Sequence, residues 1–244
     1  MTTMSDYSIL AVRTGDEPDS DLYPAPGAEP NSVVLPSGEN VSSQTKVSQL
    51  DVIEATSASG KQIIKVSDIT AAVYVTNRGV LVACSKFDKG KGYTPFGLGA
   101  VPIAIGATAV SKVRAARRRK GKMLVGQVPY RQLVSVSFTE RTGIGSQTRF
   151  RLNMFDPTSS KPRMLALTLA LPKNESGQEL ARQVTCLAAQ YKLEHAEGLT
   201  ELDHSKLEAL LAPATLTREG KAFASYDLRT EHGAGLVNRA KAGQ

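Results

Sequence analysis

The sequence predicts a mainly β fold, an antiparallel barrel or sandwich of about seven short strands that a C-terminal helix caps. Between residues 61 and 172, segments that alternate apolar and polar residues are separated by clusters of turn-forming residues. The alternation is clearest where Phe150, Leu152 and Met154 are interleaved with polar side chains, a pattern typical of a strand with one buried face. Residues 176–195 then follow a helical period, so one helix should close the domain.

An acidic segment precedes the strands. Residues 1–60 hold nine acidic residues against Arg13 and Lys46, a net charge of −7, whereas the whole 244-residue chain carries +7. Because this segment is also rich in Pro, Gly and Ser, we expect a disordered arm over residues 1–60, with Ser8–Val12 as a short strand or docking peptide. The alternative is an irregular but packed extension. The strongly basic remainder favours anionic partners.

Seven segments have strand-like patterns: KQIIKV (61–66), TAAVYVTNRG (70–79), VLVACSKF (80–87), MLVGQVPY (123–130), LVSVSFTER (133–141), TRFRLNMFD (148–156) and RMLALTLALP (163–172). The second and third form a predicted hairpin in which Asn77, Arg78 and Gly79 supply the turn. Gly79 tolerates the positive φ that such a reversal usually requires.

The closing helix has a start signal and an apolar stripe. Ser176 and Glu179 have the spacing of a capping box. Leu180, Val184 and Tyr191 recur at helical spacing, together with Leu187 or Ala188. This stripe should lie over the sheet.

These features resemble the bacterial PH-like and GRAM family. The resemblance is carried by AVYVTNRGVLVACS (Ala72–Ser85), VPYRQLVSVSF (Val128–Phe138) and the closing helix, and it covers about residues 61–195. It implies a PH-like domain in which residues 87–122 are an insertion. Lipid-binding, protein-binding and purely structural members occur in the family, so the resemblance leaves the function open.

Residues 196–244 should form a C-terminal extension. Thr200 and Asp203 have capping spacing ahead of a narrow stripe of leucines, and Pro213 ends the pattern, which predicts a short helix over residues 200–211. We expect a loose tail after it, in which KAFASYDL (221–228) has the composition to pair or dock.

The insertion joins an uncharged stretch to a cationic one. Its predicted apolar contact residues are Phe96, Leu98, Val101, Ile103 and Ile105. Its cationic cluster, the predicted contact for an anionic partner, is Lys112, Arg114, Arg117, Arg118, Arg119, Lys120 and Lys122.

Pro102 is suited to the first turn of a helix over residues 103–120. The uncharged part of that helix would reach only about 15 Å, half of a hydrocarbon core of about 30 Å, so it could not span a bilayer. It could instead dip into one leaflet while the arginines stay at the headgroups.

The adjacency of these two stretches predicts a non-catalytic, peripheral membrane-associated adaptor or assembly component that binds anionic lipid. The alternative is a soluble protein-interaction or self-assembly module, a homo-oligomer included, in which small residues such as Gly106 allow close packing. Non-specific nucleic-acid binding is less favoured: Arg149, Arg151 and Arg163 could extend the footprint, but no aromatic side chains are interleaved with the cations. The acidic arm could also fold over the cationic cluster and inhibit it.

No residue pattern points to an enzyme, a cofactor or a metal. The three histidines, His195, His204 and His232, lack metal-ligand spacing. Cys84 and Cys186 read as buried free thiols, which suit a reducing compartment. The N-terminus has no cationic region ahead of an apolar one, so we expect a cytoplasmic protein with possible membrane association.

Overall fold

The structure is a computed structural model that describes residues 10–14, 24–35, 37–54, 61–66, 70–85, 122–140, 147–155, 164–212 and 223–230. The strands are β1 (Leu10–Thr14), β2 (Ala25–Pro26), β3 (Val33–Val34), β4 (Val41–Val47), β5 (Gln49–Glu54), β6 (Lys61–Val66), β7 (Ala71–Thr76), β8 (Gly79–Cys84), β9 (Lys122–Pro129), β10 (Leu133–Thr139), β11 (Arg149–Phe155), β12 (Met164–Ala170) and β13 (Phe223–Asp227). The helices are α1 (Gly177–His195) and α2 (Glu201–Leu211), with a 3-10 turn at Tyr130–Gln132 between β9 and β10.

Two antiparallel sheets form the body. One has the order β1-β9-β8-β7-β4 and the other the order β13-β10-β11-β12-β5-β6, and β2 with β3 makes a separate hairpin. A continuous apolar core contains residues of both large sheets, among them Val73, Val82, Leu152 and Leu167. The fold is therefore a β-sandwich with helices, and the predicted mainly β class is confirmed.

The seven predicted strands correspond to β6–β12, and β7 and β8 form the predicted hairpin. Ser48 alone separates β4 from β5, so one stretch of chain crosses from the first sheet to the second. The prediction of a disordered arm over residues 1–60 is wrong for Val41–Glu54, because Val47, Leu50 and Val52 are buried in the core. Residues 1–9, 15–23, 36 and 55–60 of that arm lie outside the described part of the chain.

Gly79 is required for a different reason from the one predicted. Positive φ values occur at Gly38 and Gly198 but not at Gly79. A Cβ at Gly79 would instead lie 2.6 Å from the carbonyl oxygen of Val128, which belongs to the paired strand β9. Close approach of two backbones excludes a side chain here. Thr76 completes the turn, because its hydroxyl oxygen accepts hydrogen bonds from the N–H groups of Arg78 and Gly79.

The closing helix is confirmed, and half of its predicted capping box is present. The hydroxyl oxygen of Ser176 accepts a hydrogen bond from the N–H of Glu179, whose carboxylate pairs with Arg182 instead. In α2 the capping box of Thr200 and Asp203 is complete. Helix α1 packs on the 3-10 turn and on β10, where it buries Leu180, Ala181, Val184 and Ala188.

The prediction of a loose tail is wrong for residues 223–230. Strand β13 pairs with β10, so the described part of KAFASYDL does pair with the sheet. Buried and exposed side chains alternate over only a few residues of this strand: Ala224 and Tyr226 are buried, whereas Phe223 and Ser225 are exposed. Leu228 is fully buried and its N–H donates to the carbonyl oxygen of Val134.

Candidate functional site at the base of the insertion

Nearly all of the predicted contact residues lie outside the described part of the chain. This holds for all five apolar contact residues and for every member of the cationic cluster except Lys122, since residues 86–121 are not described. Lys122 opens β9. The described part of the candidate site is its base, where the chain leaves β8 at Ser85 and returns at Lys122.

The chain leaves the sheet before the insertion and returns after it at the same end of two neighbouring strands. Strands β8 and β9 are antiparallel neighbours, and Cys84 is paired with Leu124. Neighbouring strands lie about 4.8 Å apart, so the insertion starts and finishes within a narrow base. The eight residues of β9 rise about 26 Å from this base to the 3-10 turn under α1. The base of the insertion and the capping helix are thus at opposite ends of β9.

Strand β1 brings the acidic segment to the same place. It pairs antiparallel with β9 on the side away from β8, and Thr14 is the partner of Lys122. The residues that follow Thr14 include Asp16, Glu17, Asp19 and Asp21. The acidic run therefore begins two residues after a position that is paired with the last member of the cationic cluster. Sequence periodicity could not reveal this relation, because it depends on strand pairing.

The β2–β3 hairpin is tied to the base by Asn31. The side-chain oxygen of Asn31 accepts hydrogen bonds from the N–H of Ser85 at 2.7 Å and from the hydroxyl of Ser85 at 2.9 Å. Its carbonyl oxygen accepts a third bond, at 2.6 Å, from the hydroxyl of Tyr74 in β7. Asn31 has a φ of 62°, in the left-handed region that asparagine tolerates better than most residues.

A small apolar cluster lies beneath this hairpin, apart from the main core. Ala83, Met123 and Val125 are its buried members, and Val33 and Tyr74 pack against them. Burial raises the pKa of the Tyr74 hydroxyl, and the nearby Glu29 carboxylate raises it further. Tyr74 therefore remains a neutral hydrogen-bond donor to Asn31 at neutral pH. The hairpin, the cluster and Ser85 make up the base of the insertion.

A buried lysine lies at the other end of the molecule. The ammonium group of Lys192, on α1, donates to the carbonyl oxygens of Leu133 at 2.7 Å and Leu228 at 2.8 Å. Burial lowers the pKa of Lys192 to about 8, and the positive charge of Lys206 also lowers it. This contact ties the closing helix to the last strand. In the sequence, a single lysine within a helical pattern does not indicate such a buried contact.

Asp227 lies beside the same contact. It forms ion pairs with Lys206 at 3.2 Å and with Arg229 at 2.7 Å. Burial alone would raise the pKa of its carboxyl group, but the hydrogen bonds from Arg229 and Lys206 outweigh burial and lower that pKa to about 2. These groups hold the C-terminal segment against the body.

Two of the three histidines and both cysteines lie in the described part of the chain. His195 stacks on Tyr191, with ring centroids 4.4 Å apart, His204 lies on α2, and His232 is outside the described ranges. Among the residues that the structure describes, no group of three or more His, Cys, Asp or Glu could hold a metal ion. No disulfide joins Cys84, which is buried, to Cys186, which is half-buried and has a pKa raised by that burial.

No protein-family model matches the chain, and no curated protein matches it. Among solved structures, the chain is similar to the hSac2 domain from the human phosphoinositide phosphatase Sac2, at 12% sequence identity over 66% of this chain and 74% of that chain, with a TM-score of 0.30. A similarity at this score carries no argument about fold or function.

Proposed function

We propose that this protein is a non-catalytic, peripheral membrane-associated adaptor or assembly component that binds anionic lipid at the cytoplasmic face through its insertion. The observation that carries the proposal is the pairing of Cys84 with Leu124, which places the two strands that flank the insertion next to each other in one sheet. The order of strands followed by a closing helix also fits the PH-like resemblance. In the described ranges, no helix has the length and apolar character to cross a bilayer.

The energetics favour a combined contact. Each cation near an anionic leaflet contributes about 1 kcal/mol, and apolar side chains inserted at the same place add a second source of affinity. Neither source alone gives stable anchoring, but the insertion holds both within one segment. The last member of the cationic cluster, Lys122, opens β9, so the cluster ends along the chain where this strand begins.

Changing Arg117, Arg118 and Arg119 together to alanine should weaken binding to anionic vesicles about tenfold to a hundredfold, because three interfacial charges are lost. The measurement is co-sedimentation with vesicles of phosphatidylcholine alone and of phosphatidylcholine with phosphatidylserine.

The matched control changes three other exposed cations, Arg131, Arg149 and Lys173, to alanine, so that the two variants have the same net charge. This control should bind anionic vesicles within about threefold of wild type, since its cations lie outside the cationic cluster. Wild-type binding that is equal on neutral and anionic vesicles would contradict the proposal, and so would an equal loss in the two variants. Association of chains without vesicle binding would point to the self-assembly alternative.

The acidic run is expected to restrain this contact. Changing Asp16, Asp19 and Asp21 to asparagine and Glu17 to glutamine should tighten binding to anionic vesicles about threefold to tenfold at low salt, because Thr14, two residues before this run, is paired with Lys122 of the cationic cluster. The gain should shrink as salt rises to 0.5 M, and co-sedimentation over a salt series measures it. An unchanged affinity at low salt would show that the acidic run does not oppose the cations.

A further inference from the structure

Ser85 is the last described residue before the insertion, and one side chain holds both of its polar hydrogens. The oxygen of Asn31 accepts from the backbone N–H and from the hydroxyl of Ser85. Ser85 follows β8 directly, so its N–H is not part of the pairing between β8 and β9, which ends at Cys84. Without Asn31, this N–H would have to find a partner in water.

The hairpin that carries Asn31 is itself well anchored. Its turn is closed by a hydrogen bond from the N–H of Gly27 to the carbonyl oxygen of Ser32, at 2.9 Å. The bond from the Tyr74 hydroxyl and the contact of Val33 with the small apolar cluster attach it to the sheet. The backbone of Asn31 is left-handed, a conformation that most residues avoid and that asparagine adopts more readily.

We propose that Asn31 is a positioning residue that clasps the base of the insertion at Ser85 and so sets the point at which the insertion leaves the sheet. The anionic-lipid contact depends on this clasp because an insertion held at a fixed base loses less conformational freedom when it binds. This second part rests on the proposed function, whereas the clasp itself does not.

Two variants separate the side-chain oxygen from the backbone conformation. Asn31→Gly removes the acceptor but adopts the left-handed region readily. Asn31→Asp keeps an acceptor oxygen at the same position and tolerates the same conformation. Amide hydrogen exchange in the full-length protein should show at least a tenfold faster rate at Ser85 in Asn31→Gly, and a rate within about twofold of wild type in Asn31→Asp. The amide of Val82, in the middle of β8, should be unchanged in both and reports that the sheet is intact.

The same proteins are then tested by co-sedimentation with phosphatidylserine-containing vesicles. We expect about a fivefold weaker affinity for Asn31→Gly and wild-type affinity for Asn31→Asp. Unchanged Ser85 exchange in Asn31→Gly would overturn the clasp. Faster exchange with unchanged vesicle affinity would overturn its positioning role. If wild type does not bind these vesicles, the proposed function and the role that rests on it both fail, while the exchange rates still decide the clasp.

Discussion

Removing residues 1–60 is expected to leave the rest of the chain unable to fold. The deletion takes away the five strands β1 to β5, and β5 lies between β12 and β6 in the six-stranded sheet. Val47, Leu50 and Val52 are at most 2% exposed, and the loss of each such side chain costs about 2–5 kcal/mol. Their sum is comparable to the whole stability of a typical domain, about 5–15 kcal/mol. The unpaired edges of β7 and β12 would also be exposed to aggregation.

The measurement compares three chains by circular dichroism, thermal melting and limited proteolysis. Residues 61–244 should show no cooperative melting transition and rapid cleavage. Residues 10–244 should melt within a few degrees of the full chain, because β1 begins at Leu10. A cooperative transition for residues 61–244 close to that of the full chain would mean that β4 and β5 are dispensable.

The strands that the sequence predicted well are those whose pattern is long and regular. In β11 and β12, large apolar residues such as Leu152 and Leu167 recur at every second position and belong to the core. Strand β4 was missed because its sequence, VSSQTKV, buries only Thr45 and Val47 and is otherwise polar, which resembles a disordered segment. An edge strand with few core contacts gives a weak periodic signal.

The base of the candidate site could be predicted only in part. The hairpin of β7 and β8 and the position of the insertion follow from local sequence, because turn residues and alternation are local features. The residues that contact or pair with the base cannot be predicted from local sequence. Asn31 and Ser85 are 54 residues apart, and Thr14 and Lys122 are joined only by strand register. Pairings of this kind depend on how sheets assemble and leave no repeating pattern in the sequence.

Changing Lys192 to methionine should lower the free energy of unfolding by about 2–3 kcal/mol at pH 7. Methionine keeps a side chain of similar length but leaves the buried carbonyl groups of Leu133 and Leu228 without their donor. The gain from no longer burying a cation offsets part of this loss. The matched control is Lys206→Met: this lysine also contacts the C-terminal segment, at Asp227 and Arg229, but it is partly exposed, and its loss should cost less than about 1 kcal/mol.

The pH dependence distinguishes a buried cation from an ordinary packing residue. The pKa of Lys192 is about 8 in the folded chain and 10.5 as the ordinary value, so between these pH values the unfolded chain binds more protons. Stability from this group therefore rises with pH, by about 2 kcal/mol between pH 7.5 and 9.5. Chemical denaturation of wild type and Lys192→Met at both pH values measures it, and the gap between them should widen at the higher pH. Since other groups titrate alike in both proteins, a gap that stays constant or narrows would show that Lys192 is not held as a desolvated cation between α1 and β13.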